Sequence, residues 1–183
     1  MKIVGVRTIS RQAMTSISDQ YLTGFTEGEG CFYVGFSKRN DLPLGWQIIT
    51  EFHLSQNPGG KNILEAFKGK LDCGYIKLNH AKNPKDKTYV LIIKDRIDLK
   101  QKLIPFFKRN RLQSAKLTDF EIFRRVLQLI ETGEHLKFSG FKQIVNLVFS
   151  NKRETKKKYS KNDLLRASET IRGNPPKIEY LGG

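Results

Sequence analysis

The sequence predicts an α+β fold in which a four-stranded antiparallel sheet is covered by helices on one face, in the order α-β-β-α-β-β-α followed by further helices. Two kinds of pattern support it: hairpin-like pairs of segments with period-two alternation, and runs of apolar residues at helical spacing before, between and after them. The acidic, glycine-rich segment around residue 25 has no internal repeat, so a single copy of the unit is expected. Antiparallel strands need only one covered face, and the other face must then be accounted for.

Ser18 or Asp19 can cap a first helix through Leu22 and Phe25, and Gly30 can end it in a left-handed conformation. Phe32, Val34 and Phe36 then alternate with Tyr33, Gly35, Ser37 and Arg39, the signature of a half-buried strand. Pro43 and Gly45 mark a turn. Beyond it Ile48, Thr50, Phe52 and Leu54 alternate with Gln47, Glu51, His53 and Ser55, which completes a hairpin with Ile49 as an imperfection on its polar side.

Asn57-Pro-Gly-Gly60 breaks the alternation, and Ile63, Leu64, Phe67 and Leu71 form the apolar stripe of a helix that packs on the sheet. Gly74–Leu78 and Thr88–Lys94 predict a second hairpin, joined by a lysine-rich loop containing Asn83-Pro84, with Tyr75, Lys77 and Asn79 on its polar face. The parity of the last strand stays open: Val90 and Ile92 oppose Tyr89, Leu91 and Ile93, and both sets are largely apolar. Asp95 or Asp98 can cap the next helix, which brings Leu99, Leu103, Phe106 and Phe107 to the core.

A helix over Ser114–Glu131 carries Leu117, Phe120, Phe123, Leu127 and Ile130, and another over Ser139–Phe149 carries Phe141, Ile144, Val145 and Val148. From Lys152 to Lys161 the chain is strongly basic around Lys156-Lys157-Lys158, a pattern suited to phosphate contact. A short amphipathic helix over Ser160–Arg172 follows, ended by Gly173-Asn-Pro-Pro176. The expected organisation is an N-terminal extension over 1–17, a main domain over 18–150 and a basic C-terminal extension over 151–183.

The formal charge of +15, from 33 Lys and Arg against 18 Asp and Glu, is far more than solubility needs and points to a polyanionic partner, without choosing between DNA and RNA. No stretch has the length of a transmembrane helix, and Met1–Thr15 lacks an apolar core followed by a cleavage-like site, so an intracellular chain with no membrane partner is expected. Cys31 and Cys73 lie beside strands and read as buried free thiols. His53, His80 and His135 are scattered, and no cysteine or histidine spacing supports zinc.

The most informative stretch is Tyr21-Leu-Thr-Gly-Phe-Thr-Glu-Gly-Glu-Gly30, followed by Cys31-Phe-Tyr-Val-Gly-Phe36. Glu27 and Glu29 fall in the last turn of the helix, where the negative end of the helix dipole repels them; a cation is the obvious partner. Gly24 and Gly28 share one helical face and remove the side chains that hold another helix away. Each glycine inside a helix costs about 1 kcal/mol relative to alanine, so a compensating close contact is implied.

This pattern resembles the LAGLIDADG motif of homing endonucleases, with Leu22-Thr-Gly24-Phe25-Thr-Glu27-Gly28-Glu29-Gly30 in register against it. Gly45 to Gln56, Cys73-Gly-Tyr-Ile76, Ile104-Pro-Phe-Phe107 and Leu112 to Phe123 look like later landmarks of the same family. The resemblance implies an endonuclease that binds double-stranded DNA in a major groove through the polar sheet face. The proposed members of that face are Tyr33, Ser37, Arg39, Gln47, Glu51, His53, Ser55, Tyr75, Lys77 and Asn79.

It further implies Glu29 as the ligand of Mg2+, other divalent cations being able to substitute, with Glu27 in a structural or secondary role about 200° round the helix. Gln56 stands where the family has a water-orienting polar residue, and Lys116 where it has a charge-stabilising lysine. A basic residue usually follows the strand end, but the simplest register puts Gly60 there, so Lys61 is the departing candidate. With one motif per chain the resemblance implies a homodimer packed through Gly24, Gly28, Tyr21 and Phe25, a pseudo-palindromic site and short 3′ overhangs. An intron maturase that binds intron RNA, or a catalytically silent DNA-binding protein, are the alternatives on the same fold. Retention of both glutamates favours the nuclease.

Overall fold

Ser18 sits in an extended conformation and its hydroxyl accepts a hydrogen bond from Tyr21 N (3.1 Å), which starts helix α1 (Asp19–Glu29) where the sequence places it. The computed structural model describes residues 17–83, 85–150 and 158–173. Leu22 and Thr26 are fully buried under α1, while Tyr21, Gly24 and Gly28 face outward. Gly30 ends the helix in an extended conformation (φ −78°, ψ 150°), not the left-handed one expected, because the chain passes straight into strand β1 (Gly30–Lys38) without a loop. Its glycine serves close approach instead: a Cβ here would overlap the Thr26 side chain and stand 2.7 Å from the Thr26 carbonyl oxygen.

β1 pairs antiparallel with β2 (Trp46–Gln56), from Gly30 opposite Leu54 to Lys38 opposite Trp46. Arg39 falls just beyond β1 and chelates Asp41 through Nε (2.8 Å) and Nη2 (2.7 Å). Asn57 caps a 3-10 turn that leads into α2 (Lys61–Leu71), whose Leu64, Phe67 and Leu71 are buried. β3 (Tyr75–Leu78) and β4 (Tyr89–Ile93) form the second hairpin, and β4 inserts beside β2 to give the order β1-β2-β4-β3. The open parity of β4 is resolved. Leu91 and Ile93 join the core, and Val90 and Ile92 lie on the opposite face, opposite Ser55 and His53, yet only 3 % and 6 % exposed.

Helix α3 follows as Arg96–Asp98, a π-helical stretch Leu99–Leu103, and Ile104–Arg109. Pro105 has no N–H to donate and its ring would crowd the carbonyl one turn back; the widened π turn relieves both. Asp95 is the cap, accepting from Ile97 N (2.8 Å) and Asp98 N (3.1 Å), whereas Asp98 pairs with Lys102 (3.0 Å). Asp95→Ala is expected to lower stability by about 1 kcal/mol in denaturant unfolding, with the slope of the transition unchanged.

Two cores result. Phe32, Phe52, Phe67, Phe106, Phe107, Phe120 and Phe123 form a web of mainly tilted and edge-on rings between sheet and helices, into which α4 (Lys116–Glu131) brings the last two. At the far end of the first hairpin, Leu44, Trp46 and Ile48 pack against α4, α5 (Phe138–Ser150) and α6 (Lys161–Gly173) through Val126, Ile144, Val145 and Leu164. α6 begins at a reciprocal cap, Ser160 Oγ donating to Asp163 (2.7 Å) and accepting from Asp163 N (3.1 Å). Ser168 is buried with its hydroxyl on the Leu44 and Leu164 carbonyls, so this helix is built into the second core.

Cys73 is buried as expected, but Cys31 is exposed, because strand alternation turns it to the outer face beside His53. The N-terminal segment 1–16, Pro84, the basic run from Lys152 through Lys157 and the segment after Gly173 lie outside the described residues. Among those described, no helix is long and apolar enough to cross a membrane.

Candidate active site and nucleic-acid face

The junction of α1 and β1 places two carboxylates at one end of the sheet, and the structure gives them different surroundings. Glu27 reaches the start of α4, where it accepts from the backbone N–H of Gln113 and Ser114 and from the Ser114 hydroxyl. The exposed amides at a helix start favour such an anion. Desolvation raises the Glu27 pKa, but the hydrogen bonds from Ser114 and Gln113 and the Lys116 charge outweigh it, so the net direction is down from 4.5. Glu27 therefore contributes stability that is present above pH 4.5 and is lost as pH falls through the lower folded value. Glu27→Gln should flatten that acid limb, read as a shrinking difference between the unfolding midpoints of the two proteins as pH drops.

Glu29 is exposed, and among the described residues it has no hydrogen-bond or ion-pair partner. One residue on, Lys116 Nζ donates to the Gly30 carbonyl (2.5 Å), at the negative end of α1. An ammonium has three donors, so this contact leaves others for a phosphate. Lys116 is positioned in turn by its backbone N–H, which donates to Ser114 Oγ (3.0 Å).

Gln56 ends β2 at this same edge, two residues past the Gly30 partner Leu54. Its side chain lies over Gly60, where a Cβ would stand 2.8 Å from the Gln56 carboxamide carbon, and its Oε1 accepts from Asn57 N (2.7 Å). Lys61 opens α2 nearby, bound to Glu65 (3.1 Å) and lying over the ring of Tyr89, the strand partner of Gln56. The fold thus gathers Glu29, Gln56, Lys61 and Lys116 at one end of the sheet. Sequence reasoning missed Ser114 as the residue that fixes both Glu27 and Lys116; its hydroxyl just before a helix start was the available signal.

The outer sheet face collects the polar residues expected there. Tyr33 stands opposite Glu51, Ser37 opposite Gln47, Ser55 and Lys77 flank Val90, and His53 and Tyr75 flank Ile92. Arg39 and Asn79 lie just beyond strand ends at opposite ends of the sheet, Arg39 past the Lys38–Trp46 pair and Asn79 past the Leu78–Tyr89 pair. On α1, Tyr21 is 52 % exposed and stacks on Phe25 (6.4 Å between centroids), and among the described residues a Cβ on Gly24 or Gly28 would meet nothing within 4 Å. The helix presents an open, glycine-lined apolar face.

The family model described as LAGLIDADG endonuclease matches residues 22–127, more than half of the chain. The chain belongs to the LAGLIDADG endonuclease family. Among solved structures it is similar to the homing endonuclease I-TnaI, at 33 % identity over 86 % of this chain and 99 % of that one (TM-score 0.71). It is also similar to the archaeal intron-encoded homing endonuclease I-Vdi141I complexed with DNA, at 29 % identity over 83 % of this chain and 94 % of that one (TM-score 0.74). Curated relatives include the DNA endonuclease I-CeuI of Chlamydomonas moewusii, 27 % identical over 76 % of this chain. Another is the probable intron-encoded endonuclease 2 of Neurospora crassa, 27 % identical over 70 % of this chain. The chain spans 23 % to 63 % of the length of the curated relatives it matches. Within the LAGLIDADG fold, α1 with Glu27 and Glu29 is the segment that carries the family motif, and the α+β architecture is that of its structural neighbours.

Proposed function

We propose that this chain is a Mg2+-dependent, site-specific DNA endonuclease of intron-homing type. In this reading it acts as a homodimer on a pseudo-palindromic double-stranded site and cuts both strands to leave short 3′ overhangs. The observation that carries the reading is the exposed Glu29 carboxylate, without a partner among the described residues, at the end of a glycine-lined face, with the Lys116 ammonium on the adjoining Gly30 carbonyl. The DNA-bound neighbour and the relatives named as endonucleases support it.

Among the described residues no cluster of three or more His, Cys, Asp or Glu side chains forms a cage. A hard cation that keeps several waters and shares phosphate oxygens needs few carboxylates, so Glu29 from each of two copies, with nearby backbone carbonyls, fits Mg2+. When bound, Mg2+ supplies charge neutralisation at the phosphate and acidifies water. The chain's own residues do the rest. Gln56, at the same sheet edge, orients a water for attack. Lys116, already placed by Gly30 and Ser114, presents positive charge to the phosphate as it gains charge, and Lys61 adds to that field. Glu27 holds α4 against α1 so that Lys116 stays on the Gly30 carbonyl at the end of α1.

The outer face lies in the major groove in this proposal, with Tyr33, Gln47, Tyr75 and Lys77 among the reading residues. The test is cleavage of a randomised duplex library with and without Mg2+, with the product ends sequenced. Staggered double-strand cuts at a two-fold related sequence, only with Mg2+, are expected. No cleavage of any site, together with tight binding of a structured intron RNA, would replace this reading with that of an RNA maturase.

A further inference from the structure

Among the outward-facing strand residues described, Glu51 is the one carboxylate, and its surroundings fix it in place. Glu51 Oε2 lies 2.7 Å from His53 Nε2, and the Tyr33 ring lies nearly parallel to the His53 ring (8°, 6.0 Å between centroids). Tyr33 can lie flat because Gly35, two residues on, has no Cβ; one there would overlap the tyrosine ring. Glu51 is 26 % and His53 30 % exposed, so the pair is half sunk into the face while its outer edge stays accessible. To one side, nearly buried Ile92 and Val90 form an apolar floor.

A carboxylate in a surface that meets a polyanion is repelled by phosphates unless a donor on the ligand meets it. An ionised carboxylate only accepts hydrogen bonds. In the major groove, guanine presents acceptors alone and thymine an acceptor and a methyl group. Adenine offers its N6 amino group beside the N7 acceptor, which repels a carboxylate. Cytosine offers its N4 amino donor without an adjacent acceptor. On the DNA-binding reading above, on which this inference rests, we propose that Glu51 is a specificity-determining residue that accepts from the N4 amino group of a cytosine in each half-site. His53 is its positioning residue: the imidazole holds the carboxylate in one orientation, and Tyr33 holds the imidazole.

The experiment is selection of bound duplexes from a randomised library in Mg2+-free buffer, which reads binding without cleavage. Wild type, Glu51→Gln and His53→Ala are compared. Wild type should prefer cytosine at one position of each half-site by at least about fivefold. Glu51→Gln should lose that preference and move toward adenine, whose N6 and N7 suit a carboxamide, while the other positions keep theirs. His53→Ala should weaken the cytosine preference without moving it to another base. If wild type selects a sequence and Glu51→Gln selects the same one, or the position that changes is not cytosine in the wild-type site, the inference is overturned while the DNA-binding reading stands. If wild type selects no sequence at all, both are overturned.

Discussion

Glu29→Gln should abolish DNA cleavage in Mg2+ while leaving the fold and DNA binding in place. The carboxylate is exposed and unpartnered among the described residues, so its loss breaks no internal contact. What it removes is the anionic ligand that the proposed chemistry depends on. Losing several kcal/mol of transition-state stabilisation, about 4, corresponds to a fall of roughly 10³-fold in the single-turnover rate. Affinity for the site in Mg2+-free buffer should hold or rise, because a carboxylate facing phosphates has become neutral. Equal cleavage by the variant would remove Glu29 from the proposed site. Glu27→Gln makes the contrast, since Glu27 is spent on Gln113 and Ser114, and its loss should act through the placement of α4 and Lys116.

The second large effect is expected at Gly24. Among the described residues of the single chain a Cβ there meets nothing within 4 Å, so Gly24→Leu breaks no packing among them and gains about 1 kcal/mol of helix propensity. In a dimer packed through that face, the same side chain holds the two helices apart. The variant should therefore sediment as a folded monomer and lose double-strand cleavage. Its unfolding midpoint should be independent of protein concentration, whereas that of wild type should rise with it. A wild-type protein that stays monomeric at high concentration, with and without DNA, would contradict the proposed assembly, as would a Gly24→Leu variant that dimerises like wild type.

Local signals made much of this fold legible in the sequence. Alternation over Phe32–Phe36 and Ile48–Leu54 carries both face and register, because a strand's side chains reverse with every residue and only one parity buries the aromatic rings. β4 resisted the same reading. Its outward residues Val90 and Ile92 are apolar and nearly buried by their flanking strands, so hydrophobicity alone could not separate the faces. The left-handed end assigned to Gly30 failed for a related reason: glycine signals either unusual torsion or close approach, and here the neighbour is Thr26. Cys31 went to the outer face because strand parity overrides the general tendency of thiols to be buried.

At the site, Glu29 and its helix were readable from the motif, since the acidic and glycine positions lie within ten residues. The partition between the two glutamates was only half readable. Helical spacing separates them, but the partner of Glu27 lies more than eighty residues away, at Gln113 and Ser114. That Lys116 reaches the Gly30 carbonyl at the end of α1 likewise depends on the tertiary packing of α4 against β1, which no local pattern contains.

The passage from α1 into β1 without a loop turns the backbone into a ruler. Glu29 ends one element, Gly30 begins the next, and Tyr33 already stands on the outer face. Covalent geometry, rather than a movable hinge, thus sets the offset between where the chain would cut and where it would read. An insertion of one residue after Gly30 would shift the reading set relative to the carboxylate and turn each following side chain to the opposite face. In the proposed function, target preference would change by substitution along the strands, whereas the distance from recognised base to broken bond would be held constant by the chain itself.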